Sequence, residues 1–200
     1  MKDTGSIAVF IPDVEYDAGD EETYPSRSLK FKELLEEEYE SSFEEENIGP
    51  GADIPAYVTL LSVATLPYIA VALAIFFSGK KIEENIEAWV RLGSRLSRFF
   101  HRRAHFNRKG AAVIAVTSAT AELGRQPNQI SLLGYAALYD FDGSGPIEFE
   151  DAGKLSEDVA PLTLSRITHA FRISAEAEEF VVLVEGSKVT VRKTKTPPGR

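Results

Sequence analysis

The 200-residue chain carries 31 acidic against 22 basic residues, a net charge of −9, and contains no cysteine. Acidity on this scale argues against a general nucleic-acid binder, and the missing thiols exclude disulfides, a thiolate nucleophile and a cysteine-ligated zinc site. The charge is unevenly spread: Met1 to Asp53 holds sixteen acidic and four basic residues, and the remainder fifteen and eighteen.

Residues 1–53 read as an acidic N-terminal arm. Within it IAVFIP, Ile7 to Pro12, predicts a short strand that stops at the proline. Leu29 to Phe43 sets Leu29, Leu34, Leu35, Tyr39 and Phe43 among glutamates, a spacing that predicts a modestly amphipathic helix with a solvated acidic face. NIGPGAD, Asn47 to Asp53, then breaks the pattern.

From Ile54 to Gly79 there are twenty-six residues without a charged side chain, bounded by Asp53 and by Lys80-Lys81. A bilayer core of about 30 Å needs roughly 20 helical residues, so the run predicts a transmembrane helix over 54–79. Pro67 divides it; the alternative is a buried strand, a turn at Pro67 and a core helix over Tyr68 to Phe77. Lys80 to Lys109 holds nine basic and three acidic residues, and under the positive-inside rule this places the C-terminal side in the cytoplasm and the N-terminus outside.

Residues 80–109 predict a basic amphipathic helix, clearest over Lys80 to Arg103. Ile82, Ile86, Trp89, Gly93, Leu96 and Phe100 form one stripe, and Arg91, Arg95, Arg98 and Arg102 repeat the spacing on the opposite side. Beside a membrane these four arginines would face anionic lipid headgroups; otherwise they face water. His101 and His105 stand four apart but lack the further ligands of a zinc site, and His169 has no nucleophile elbow to serve.

Residues 110–193 predict an α+β domain. GAAVIAVTSATAELG, Gly110 to Gly124, is a small-residue helix ending at glycine. Ser131 to Phe141, Ile167 to Ile173, Phe180 to Glu185 and Lys188 to Arg192 are strands, the last two joined by Gly186-Ser187 into a hairpin. The basic, proline-containing tail, 194–200, is expected to be disordered.

Asp140 to Asp151, DFDGSGPIEFED, places oxygen ligands at alternate positions before a glycine turn. This segment resembles the calcium loop of EF-hand proteins over twelve residues. The resemblance implies Asp140, Asp142, Ser144, the Pro146 carbonyl and Asp151 as ligands of a hard cation, with Gly145 at the turn. The segment departs from that pattern at Asp151, where the family has glutamate, and at Pro146. The competing reading makes DGSG a turn between two strands.

Taken together, the sequence predicts an α+β, non-enzymatic, single-pass membrane protein whose cytoplasmic module binds a protein partner, with calcium as the one candidate cofactor. The alternative is a soluble α+β regulatory or enzymatic protein in which 54–79 is buried core. No catalytic motif is present to assign a reaction.

Overall fold

The computed structural model describes residues 6–14, 23–48, 55–61, 67–155 and 161–194. Ile7–Pro12 (β1) is buried along its whole length because it is an inner strand. It pairs antiparallel with Pro55–Leu61 (β3), Ile7 opposite Leu61 and Pro12 opposite Ala56, and on its other side with His105–Phe106 (β4). Glu44–Asn47 (β2) completes this four-stranded sheet in the order β2-β3-β1-β4. Between β1 and β2 runs the helix Tyr24–Tyr39 (α1).

This arrangement overturns the membrane span. The charge-free run consists of β3 and a separate helix, Pro67–Phe77 (α2); Ile54 and residues 62–66 lie outside the described residues. Eleven residues give α2 a length of about 16 Å, half a bilayer core. Among the described residues no helix is long and apolar enough to cross a membrane. With the span fall the single-pass topology, the outside N-terminus and the reading of residues 1–53 as an arm beyond it. The run lacks charge because Pro55 to Val58 and Ile69, Leu73 and Phe76 are buried. Pro67 stands at the first helical position, where its fixed φ and missing N–H are compatible with a helix start.

Ile86–Leu96 (α3) is shorter than the predicted 80–103 helix and passes into a 3-10 turn, Ser97–Arg102. Asn85 at φ +62° precedes α3, and Ile82 instead forms a β-bridge with Ile130. The buried stripe is Ile86, Trp89, Leu92, Gly93 and Leu96.

Arg108–Leu123 (α4) follows β4. The Asn107 side chain accepts from the Gly110 N–H at 3.0 Å and donates to the Ser6 carbonyl at 3.0 Å, so one residue caps the helix and fixes the chain entering β1. Gly124, at φ +74°, ends it in the left-handed conformation. From Gly110 to Val116 every residue is buried, because α4 packs against β1, α3 and the second sheet together. Alanine and glycine permit that: a Cβ on Gly110 would meet Ile7 at 3.1 Å and Phe106 at 3.2 Å.

The second sheet is antiparallel, in the order β6-β5-β7-β8-β9, with Ile130–Tyr139 (β5), Glu150–Asp151 (β6), Ile167–Ala175 (β7), Glu178–Glu185 (β8) and Lys188–Thr194 (β9). Antiparallel strands follow α4, as the α+β reading of this half expects, with β6 added at the edge. Its core is shared with the first sheet, since one cluster of buried side chains joins Ile7, Tyr57, Phe76, Trp89, Val113, Phe171 and Phe180. Residues 195–200 lie outside the described residues.

Candidate functional site

The end of β1, helix α1 and the 3-10 turn enclose a cleft of about 580 Å³, within the usual range for small-molecule sites. Ile11, Pro12 and Val14 contribute apolar surface from one side. Arg27, Lys30, Phe31 and Leu34 line it from α1, at the three- and four-residue spacing that puts them on one helical face. His101, Arg102 and Arg103 close it from the turn, and Arg103 takes φ +54°, reversing the chain before β4.

The electrostatics of the cleft are dominated by cations in an acidic protein. Asp13 is 6% exposed, with Arg27 at 3.5 Å. At the other end Glu38 accepts from Arg102 Nε at 3.2 Å and Nη2 at 2.5 Å, and from His101 Nε2 at 2.8 Å. Burial works to raise the Glu38 pKa, but the hydrogen bonds from Arg102, Tyr39 and His101 outweigh it and hold the carboxyl below its ordinary value. Tyr39 stacks on Phe99 at 4.3 Å between ring centroids, and burial together with Glu38 pushes its phenol up to about 12. Lys30 and Arg103 remain, on opposing walls, and among the described residues neither has a carboxylate partner.

The four arginines expected to face lipid do not act as one stripe. Arg91 pairs with Glu87 on the α3 surface at 2.6 Å, Arg95 and Arg98 are exposed, and Arg102 is held by Glu38 in the cleft.

The residues of the acidic loop are engaged by other partners or by one another. Asp140, at φ +47°, gives its carboxylate to Arg166 in a two-bond pair. Asp142 accepts from the Ser144 N–H at 2.8 Å and hydroxyl at 2.7 Å, which holds its pKa below the ordinary value. Pro146 is exposed, and Asp151 lies on β6 near Lys154 at 3.7 Å. Among the described residues no three histidine or acidic side chains are grouped to hold a metal. The loop does a packing task that the acidic residues obscured: Phe141, Ile147 and Phe149 cover the outer face of the second sheet over Ala136, Ala170 and Leu183. The close approach of Phe149 explains Gly134, whose Cβ would lie 2.9 Å from Phe149 Cβ.

His169 is 3% exposed. Its Nε2 lies 3.1 Å from the Phe106 carbonyl, so Nε2 carries the proton, and Nδ1 accepts from the Tyr135 hydroxyl at 2.8 Å. Burial pulls its pKa down to about 4, with Arg108 and His105 adding to the effect. His105 is also shifted down by burial. These histidines belong to the interior and are far less accessible than His101.

Asp13, Arg27, Lys30 and Arg103 were not among the residues the sequence singled out. The signal present was the Arg27, Lys30, Phe31, Leu34 spacing on α1, which the neighbouring run of glutamates masks. Compared with models of known protein families, with curated proteins and with solved structures, the chain finds no match in any of the three.

Proposed function

We propose that this chain is a ligand-binding α+β protein whose ligand is a small amphipathic anion held in the cleft between β1, α1 and the 3-10 turn. The observation that carries the reading is the placement of Lys30 and Arg103, two cations without carboxylate partners among the described residues, across an apolar floor of Ile11, Phe31 and Leu34. A negative group would bridge the two walls at the rim, while an apolar body would displace water from the floor. Arg27, held by Asp13, adds positive potential from the side. Such a site recognises and retains a molecule; regulation by that ligand is the role it fits. Calcium at 140–151 forms no part of this reading, because Arg166 engages Asp140.

The test is a fluorescence titration with 8-anilinonaphthalene-1-sulfonate, an aromatic anion, beside the neutral N-phenyl-1-naphthylamine. The double substitution Lys30→Glu, Arg103→Glu is expected to weaken binding of the sulfonate about tenfold or more, equivalent to about 1.4 kcal/mol, and to leave the neutral amine unaffected. Equal sulfonate binding by both proteins would remove the cleft as the anion site.

A further inference from the structure

The outer face of the second sheet is covered only in part. Phe141, Ile147 and Phe149 close it over Ala136, Ala170 and Leu183, and beside them, between the loop after β5 and strand β9, a depression of about 290 Å³ stays open. That volume lies just under the usual range for small-molecule sites and suits a small metabolite. Leu183 and Phe141 give it an apolar side. On β9 Lys188, Thr190 and Arg192 alternate onto this face, Thr190 directly across from Leu183, and form the other wall.

Four charged side chains line the depression, and two of them satisfy each other. Lys188 pairs with Glu185 at 3.4 Å. Asp142 and Arg192 remain, the first on the loop wall and the second on the strand wall. Asp142 receives both Ser144 hydrogen bonds on Oδ1, and among the described residues no side chain donates to Oδ2. Arg192 makes only a long contact, from Nη2 to the Gly143 carbonyl at 3.5 Å. The acid and the base therefore stand close without forming an ion pair. Neighbouring charges do not replace either one, since Asp140 is held by Arg166 and Arg172 lies over the Phe149 ring.

Thr168 supplies a second, independent indication. It is 4% exposed, it lines the same depression, and its hydroxyl has no hydrogen-bond partner among the described residues. A buried hydroxyl normally finds a partner. A ligand seated here would provide it.

We infer that this depression is a second binding site, separate from the cleft, and that its ligand is a small zwitterion with an apolar substituent, an aliphatic α-amino acid. Its carboxylate would lie on the Arg192 guanidinium, whose planar fork suits two parallel hydrogen bonds, and its ammonium on Asp142. The aliphatic side chain would cover Phe141 and Leu183. A plain anion would meet Asp142 and a plain cation would meet Arg192, so a ligand with both signs is favoured over either.

The test is a titration of the full chain followed by ¹⁵N–¹H correlation spectra, with L-leucine, with 4-methylpentanoate, which lacks the ammonium, and with 3-methylbutylamine, which lacks the carboxylate. Leucine, added up to about 10 mM to cover millimolar dissociation constants, is expected to shift the amide signals of Asp142, Gly143, Thr168 and Thr190 to saturation. Each single-charge analogue is expected to bind about tenfold or more weakly, as is leucine to Arg192→Gln and to Asp142→Asn, the scale of a lost hydrogen bond to a charged group. Thr168→Val, close in shape, is expected to weaken leucine about threefold or more. Unmoved amide signals remote from the depression establish that each variant is folded. Leucine without effect, an analogue that binds as tightly, or any of the three variants binding leucine unchanged would overturn the site. The cleft substitutions Lys30→Glu, Arg103→Glu should leave leucine binding intact; its loss there would move the amino acid to the cleft and overturn this assignment.

Discussion

Gly93 of α3 lies directly on Thr117 of α4: a Cβ placed on Gly93 would stand 2.7 Å from the Thr117 Cβ. The two helices approach this closely because Gly93 has no side chain and because the Thr117 hydroxyl folds back onto the Val113 carbonyl at 2.8 Å. Gly93→Ala is therefore expected to destabilise the protein by about 1–3 kcal/mol through overpacking, against a gain of up to about 1 kcal/mol from helix propensity. Urea denaturation followed by the emission of Trp89, the single tryptophan and 1% exposed, measures it. An unchanged midpoint would mean that α3 can slide on α4.

His169 makes the fold acid-sensitive. Its pKa is about 4 when folded and the ordinary 6.5 when unfolded, so between these values the unfolded chain binds more protons. Stability is then full above about pH 6.5 and falls as pH drops toward 4, by up to about 3 kcal/mol from this one group. Unfolding free energies measured at intervals from pH 7 to pH 4 should show this slope. In Tyr135→Phe the imidazole loses the hydroxyl that donates to Nδ1, a cost of about 1–3 kcal/mol at neutral pH.

Glu38 holds the turn to α1 and at the same time occupies two of the cleft's hydrogen-bond donors, Arg102 and His101. Glu38→Gln is expected to have two opposite effects. Stability falls by about 1 kcal/mol, a partly exposed charged hydrogen-bond pair being lost. Affinity for the naphthalene sulfonate rises, because Arg102 and His101 then face the cleft without a competing carboxylate. Lower affinity in this variant would place the anion away from Arg102.

Millimolar calcium is expected to leave the melting temperature where a chelator leaves it, since a ligand that binds only the folded state must raise it. Asp140 is committed to Arg166 and Asp142 to Ser144. A calcium-dependent rise would show that the loop can rearrange to gather its oxygens.

Local pattern made much of the C-terminal half legible. The small-residue helix over 110–124, the strands over 131–141 and 167–173, and the Gly186-Ser187 hairpin depend on periodicity and turn chemistry alone; each is present, the first strand ending at Tyr139 because Asp140 turns the chain at φ +47°. The span predicted over 54–79 does not form, because apolar length looks alike whether lipid or protein surrounds it. What separates the cases is that β3 is flanked by β1 and β2, a non-local fact. The cleft was invisible for a similar reason: Arg27 and Arg103 are seventy-six positions apart in sequence and meet only through tertiary packing. DGSG draws on the residues of both a turn and a cation loop, and the partner that engages Asp140, Arg166, lies twenty-six positions away in sequence.

The pairing of Val9 with Phe106 sets a timetable for synthesis. The second neighbour of β1 is encoded almost a hundred residues after it, which at about 5–20 residues per second is a delay on the order of 5–20 s. For the first half of that interval β3 too is missing, and until β4 is made one edge of the Ile-Ala-Val-Phe-Ile segment is unpaired with it. The aspartates and glutamates from Asp13 to Glu22 directly follow it in sequence, the flanking charge that opposes association of an exposed apolar strand.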